Sequence, residues 1–205
     1  MPVMEQPIPQ SIPSTVEDYF RMEESSPIRH EFRRGQIIAM AGGLEPHSLI
    51  ATNISGSLWG RLRGAPCRVY NPDLRVFAAD FGEYAYPDVT VICGPTEFND
   101  RKSAMNPRVI FEVLSTSTEA ADRGEKFDAY REIPSFQQYV LVAQDRPYAQ
   151  TFLRQPHGNW LMHPYLGINA VIRLESIEVE LPLAEVYAGV ESPPPVTKVV
   201  VERKP

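Results

Sequence analysis

In the stretch "RVIFEVLSTST", residues 108–118, a single carboxylate, Glu112, interrupts an otherwise apolar run. Side chains alternate between the two faces of a strand, so Ile110, Glu112 and Leu114 share one face and Val109, Phe111 and Val113 the other. Both sets are apolar apart from Glu112, which implies burial on both sides. A buried carboxylate without a partner is costly or shifts its pKa strongly upward, so Glu112 needs a partner. A lysine, an arginine or a backbone amide would supply a structural pair; a metal ion would supply chemistry.

Two further groups bear on that choice. Asp88 follows Pro87 in "AYPDVTVIC" and opens another apolar strand, 24 positions before Glu112 (112 − 88). At a strand start Asp is ordinarily a turn residue, but on a neighbouring strand it would meet Glu112. Like charges so close call for a hard, oxygen-liganded ion such as Mg²⁺ or Mn²⁺. In "TEAADRGEKFDAYREIP", Asp122 and Lys126 are four apart and share a helical face, an arrangement that also suits a plain surface ion pair. Phe127 and Tyr130 supply the core contact of that helix, which follows the Glu112 strand after only a few residues. Lys126 is thereby placed to reach the carboxylates, where an ammonium can orient a water or stabilise charge on a phosphate.

Periodicity and turn chemistry supply the elements that would position these groups. Ser14 and Glu17 make a capping box for a helix to about residue 24, and "HEFRRGQIIAMAGG" reads as strand, turn at Gly35, strand. A helix follows over 46–63 with Gly64 beyond it, then strands over 67–70, 74–78, 88–93 and 108–114. Thr116 and Glu119 form a second capping box for a helix running to about residue 132, before Pro134. Strands over 138–143, 148–153, 160–165, 171–174 and 179–181 and a short helix over 182–187 complete the chain. The order predicts an α/β domain with a central mixed sheet flanked by helices.

With 205 residues, 43% of them hydrophobic, the chain suits one domain over 14–190, with flexible proline-bearing tails at 1–13 and 191–205. No apolar run reaches membrane-spanning length and the first residues lack a signal-peptide pattern. Cys67 and Cys93 have neither zinc-ligand spacing nor a CxxC pair and are expected to be reduced core residues of a cytoplasmic protein. A net charge of −6 excludes a global attraction to nucleic acid, so any such binding needs a local basic patch. Arg61 and Arg63, with Arg68 and Arg75, form one candidate group, and Arg101, Lys102 and Arg108 another. The strand-rich C-terminal half, "YAQTFLRQPHGNWLMHPY", could equally be core or a homodimer surface.

Pro87-Asp88, Glu112-Val113-Leu114-Ser115 with Thr118, then Asp122, Lys126 and Tyr130, taken in order and spacing, resemble the Uma-type restriction endonuclease family, a branch of the PD-(D/E)XK nuclease superfamily. Glu31, Gly35 and Met40 match a family hairpin, His47 matches a helix start, and the similarity covers about residues 15–188. The resemblance implies a restriction-endonuclease-like fold, a Mg²⁺-dependent site and hydrolysis of phosphodiesters, with DNA as the expected partner. Carried over, Asp88, Glu112 and the carbonyl of Val113 would hold the metal, and Lys126 would take the lysine's role. Glu31, His47 and Asp122 would be accessory, His47 serving equally well as a polar residue of the helix start. The superfamily pattern puts Lys two positions after the second acidic residue, where this chain has Leu114, and Arg34 replaces a common acidic or amide turn residue. Two other readings use the same residues: a non-catalytic binding module that keeps the fold, and a hydrolase of small phosphate esters.

Overall fold

A computed structural model describes residues 11–40 and 42–191. Ser11–Pro13 (β1) leads into α1 (Val16–Ser25), then the hairpin β2 (His30–Arg33) and β3 (Gln36–Ala39), and the long helix α2 (Glu45–Leu62). Strands β4 (Cys67–Tyr70), β5 (Val76–Ala78), β6 (Glu83–Ala85), β7 (Val89–Cys93) and β8 (Val109–Leu114) follow. Two short helices, α3 (Glu119–Arg123) and α4 (Glu125–Tyr130), then lead to β9 (Gln138–Ala143), β10 (Tyr148–Arg154) and β11 (Trp160–Leu166). The described chain closes with β12 (Val171–Leu174), β13 (Val179–Pro182) and α5 (Leu183–Val186).

The strands form a six-stranded sheet in the order β11-β10-β9-β8-β7-β4, a five-stranded sheet in the order β1-β3-β2-β6-β5, and the β12-β13 pair. β8 and β9 run parallel, Glu112 opposite Leu141, while β7 and β8 run antiparallel, Val89 opposite Phe111. The larger sheet is therefore mixed, as expected, and α3 and α4 provide the crossover that a parallel pair requires.

Every residue of β8 is buried, and its two faces meet different cores. Val109, Phe111 and Val113 pack with Ile50, Ile54, Leu58 and Leu62, which form an i, i+4 stripe along α2. Ile110 and Leu114 pack with Ala129, Tyr130, Ile133 and Phe136 on the other side. Glu112 faces this second layer, and the ends of α3 and α4 supply its surroundings.

Several local expectations are displaced. The first capping box is Thr15 with Asp18, one residue later than Ser14 and Glu17, because the Ser14 amide bonds Gly35 O at 2.9 Å while Thr15 takes the extended cap conformation. The helix expected to run unbroken to residue 132 divides at Gly124, and Thr118, without a side-chain cap bond, precedes α3 in place of a Thr116 box. Of the expected tails, residues 1–10 and 192–205 lie outside the described residues, whereas Ser11–Pro13 pairs with β3.

The cysteine reading is overturned. Cys67 and Cys93 are joined in a disulfide, because the antiparallel register of β4 and β7 sets them directly opposite one another. Spacing along the chain, 26 residues, carried no sign of this pairing. The expectation of a cytoplasmic protein loses the support it drew from reduced cysteines. Among the described residues no helix is long and apolar enough to cross a membrane.

Candidate active site

The two carboxylates that the sequence singles out meet where the start of β7 lies against β8. Asp88 immediately precedes β7 and its Oδ2 accepts the Val113 amide of β8 at 2.7 Å. The Asp88 amide in turn donates to Glu112 Oε2 at 3.4 Å, a long bond. Continuing the register in which Val89 faces Phe111 would put Pro87 opposite Val113. Proline has no amide hydrogen and is tolerated at this end of the ladder, where the Val113 amide is satisfied by the Asp88 side chain.

Lys126 stands at the centre of the cluster. Its Nζ lies 3.1 Å from Glu112 Oε1, 3.0 Å from Asp122 Oδ1 and 3.3 Å from Glu31 Oε1, and all four side chains are buried. The Tyr130 hydroxyl donates to the same Glu112 oxygen at 3.2 Å. Glu31 comes from β2 in the smaller sheet, so the site sits where the two sheets meet. Asp122 and Lys126 fall on either side of the break at Gly124, where an added Cβ would approach Ala120 O to 3.2 Å.

The electrostatics follow from burial and like charge. Burial pushes the Glu112 carboxyl well above its usual range; Lys126 opposes this, and Asp122, Asp88 and Glu31 reinforce it. Asp122 is raised for the same first cause, burial, with Lys126 again opposing. For Lys126, burial favours the neutral amine, but Asp122, Glu112 and Glu31 outweigh it and hold the ammonium well above its usual range. Burial and the neighbouring Glu112 charge keep the Tyr130 hydroxyl protonated, so it serves as a donor.

His47, in the first turn of α2, brings Nε2 to 3.3 Å from Asp88 Oδ2. Burial disfavours its charge, yet the bond to and charge of Asp88 raise its pKa overall. Gly43 makes room for this ring, since a Cβ there would lie 2.8 Å from His47 Nδ1.

Sequence reasoning missed Arg33. Its guanidinium is buried, with Nε 3.2 Å from Glu31 Oε2 and Nη1 3.5 Å from Glu125 Oε2. Arg33 and Glu31 are two apart in β2 and so share a face, a period-two signal that could have paired them.

The candidate phosphate contacts scatter. Arg61 is bound by Glu185 through contacts of 2.6 and 2.8 Å, Arg101 stacks over Phe20 at 4.8 Å, and Lys102 occupies a turn with φ 58°. Arg63 lies over the Trp59 ring at 4.9 Å, toward the far end of α2 from His47. None of these four lines the cavity onto which Glu31, His47, Asp88, Glu112 and Lys126 open.

Among the described residues, no three His, Cys, Asp or Glu side chains form a ready metal cage. A cation here would rest on two carboxylates and other oxygens, which suits Mg²⁺, an ion that keeps several waters and binds through one or two carboxylates and substrate phosphate. The contacts above engage Asp88 Oδ2 and Glu112 Oε1 and reach Glu112 Oε2 only through the long bond from the Asp88 amide, so Asp88 Oδ1 and Glu112 Oε2 are the carboxylate oxygens best able to hold it, with the Val113 carbonyl next to Glu112 in the chain.

Residues 16–184 match the family model Uma2, described as "Putative restriction endonuclease". The chain belongs to the Uma2 family. Two Synechocystis relatives, each called an uncharacterized protein, are similar to most of the chain. The protein slr1290 is 34% identical over 183 residues, covering 89% of this chain and 94% of its own length. The protein sll1609 is 32% identical over 167 residues, covering 80% and 94%. A crystal structure from Anabaena variabilis, titled "a putative nuclease belonging to DUF820", matches with a TM-score of 0.65 at 15% identity, covering 83% of this chain and 96% of that one. This match bears on the fold alone, and it agrees with the restriction-endonuclease-like architecture expected of an Uma2 chain.

Proposed function

We propose that the protein hydrolyses phosphodiester bonds of DNA in a Mg²⁺- or Mn²⁺-dependent reaction. The observation that carries this reading is the convergence of Asp88 and Glu112 with a buried ammonium, Lys126, on one open cavity. Asp88, Glu112 and the Val113 carbonyl would hold the cation, which when bound supplies Lewis acidity toward a non-bridging phosphate oxygen and the attacking water.

The remaining side chains have roles of their own. Lys126, kept charged by three carboxylates, offers a fixed positive charge for a phosphate or for orienting the nucleophile. Glu31 and Asp122 hold Lys126 in place, Arg33 holds Glu31, and His47 fixes the Oδ2 side of Asp88. For the homodimer, the surface we propose is β11, an edge strand exposing Leu161, Met162 and Leu166.

A non-catalytic module is the second reading, favoured by the Glu112–Lys126 contact of 3.1 Å, which satisfies both charges without a metal. Calorimetry with Mn²⁺ on wild type and Glu112→Gln, paired with cleavage of a supercoiled plasmid, separates the two. The nuclease reading expects metal binding and cleavage that vanish in the variant, with Ca²⁺ supporting binding better than cleavage. Undiminished cleavage by Asp88→Ala would refute the site assignment.

A further inference from the structure

The cavity at Glu112 is not closed. Met40, Gly43, His47 and Asp88 also line a second hollow, of about 440 Å³, that runs beside α2 past Ser48, Thr52 and Ser55, with Asn71 and Pro72 opposite. A third hollow lies between the last turns of α2 and β4, lined by Trp59, Arg63, Arg68 and Tyr70. Asn71 directly follows β4, and α2 packs against β4, so the three hollows are stations along one flank of α2.

The chemistry changes along that flank. Among the described residues, Asp88 is the sole carboxylate lining the second hollow and the third has none, on a chain carrying 26 acidic residues. Trp59 is 60% exposed, and the Arg63 guanidinium lies over its ring at 4.9 Å. Arg63 and Arg68 pair with no carboxylate among the described residues, whereas Arg61, on another side of the same helix, is held by Glu185. An exposed indole beside two guanidinium groups that no carboxylate neutralises, Arg68 donating only to Gly94 O at 3.3 Å, is the composition of a site where a base stacks and a phosphate is neutralised.

We infer that this flank of α2 is the track of a single nucleic-acid strand leaving the scissile phosphate, with Trp59 stacking a base and Arg63 and Arg68 contacting its phosphates. The inference rests on the nuclease reading of the Asp88–Glu112 site. From His47 to Trp59 is twelve residues (59 − 47), roughly 18 Å along a helix. That spans a few nucleotides of strand, and a stacked base on Trp59 must be free of its duplex partner. The track therefore favours single-stranded flanks over a continuous duplex.

The test uses the full chain with Ca²⁺ and a fluorescein-labelled oligo-dT, read by anisotropy. Trp59→Ala is expected to weaken binding roughly tenfold, as loss of one base–aromatic stack does. Arg63→Gln is expected to lower the salt dependence by about one counterion. Quenching of tryptophan emission by unlabelled oligo-dT, measured in a Trp160→Phe background, should disappear with Trp59. Wild-type binding that Trp59→Ala changes by less than about twofold would overturn the track, as would tighter binding to duplex than to single strands. A Trp59→Ala chain that loses self-association would also overturn it, assigning the indole to a second copy. Failure of the nuclease reading is seen separately, as a wild-type chain that cleaves no DNA with Mg²⁺ or Mn²⁺, or as cleavage that persists in Glu112→Gln.

Discussion

At the scale of single residues, the site is a concentration of negative charge managed by one ammonium and one guanidinium. Glu112 bears the largest burden, since burial raises its pKa and three nearby carboxylates add to the effect. Between the ordinary carboxyl value of 4.5 and the raised native value, the native state binds more protons than the unfolded chain. Stability from this group is therefore fully present at low pH and is lost as pH rises through the native value. In chelator, Glu112→Gln should be more stable than wild type at pH 8 by on the order of 1 kcal/mol, and this advantage should shrink toward pH 5. Denaturant titrations at the two pH values check this; an equal difference at both would show that Lys126 compensates Glu112 completely. Glu112, Asp88 and Lys126 were legible in advance because each breaks a local rule: a charge in a buried strand, an acid after a strand-opening proline, a lysine one turn from an aspartate. Arg33 was not, since its neighbour Arg34 made the pair look like an ordinary charged turn.

At the scale of elements, most strands were readable from alternation, and α2 from its stripe of Ile50, Ile54, Leu58 and Leu62. What alternation does not carry is register. The opposition of Cys67 to Cys93 follows from how β4 lies against β7, and nothing within either strand signals it. The break between α3 and α4 was likewise hidden, because an isolated glycine inside a helical pattern is often tolerated. The bridge ties the edge strand β4 to β7, closing a loop of 26 residues in the unfolded chain. Reduction, or Cys93→Ser, is expected to lower stability by about 2–4 kcal/mol in denaturant titration, the usual effect of a closed loop of this size. An unchanged midpoint would mean that the hairpin contacts alone hold β4.

At the scale of the whole molecule, the α/β class and mixed sheet were foreseen, but the division into two sheets was not, since short strands do not announce which neighbours they choose. That division matters for the site. Glu31 belongs to the smaller sheet, Glu112 to β8 of the larger one with Asp88 just before its neighbour β7, His47 to α2 and Lys126 to α4. The outermost of these are 95 residues apart (126 − 31), so no contiguous segment holds the set. Contacts between parts of the chain so far apart form late, because loop closure must precede them. The approach of Glu31 to Lys126 across the seam between the sheets should thus come only when refolding is nearly done. In a stopped-flow experiment Glu31→Gln should therefore leave the recovery of secondary structure unchanged and alter only the last phase, making this one ion pair a clock for the closing of the seam between the sheets.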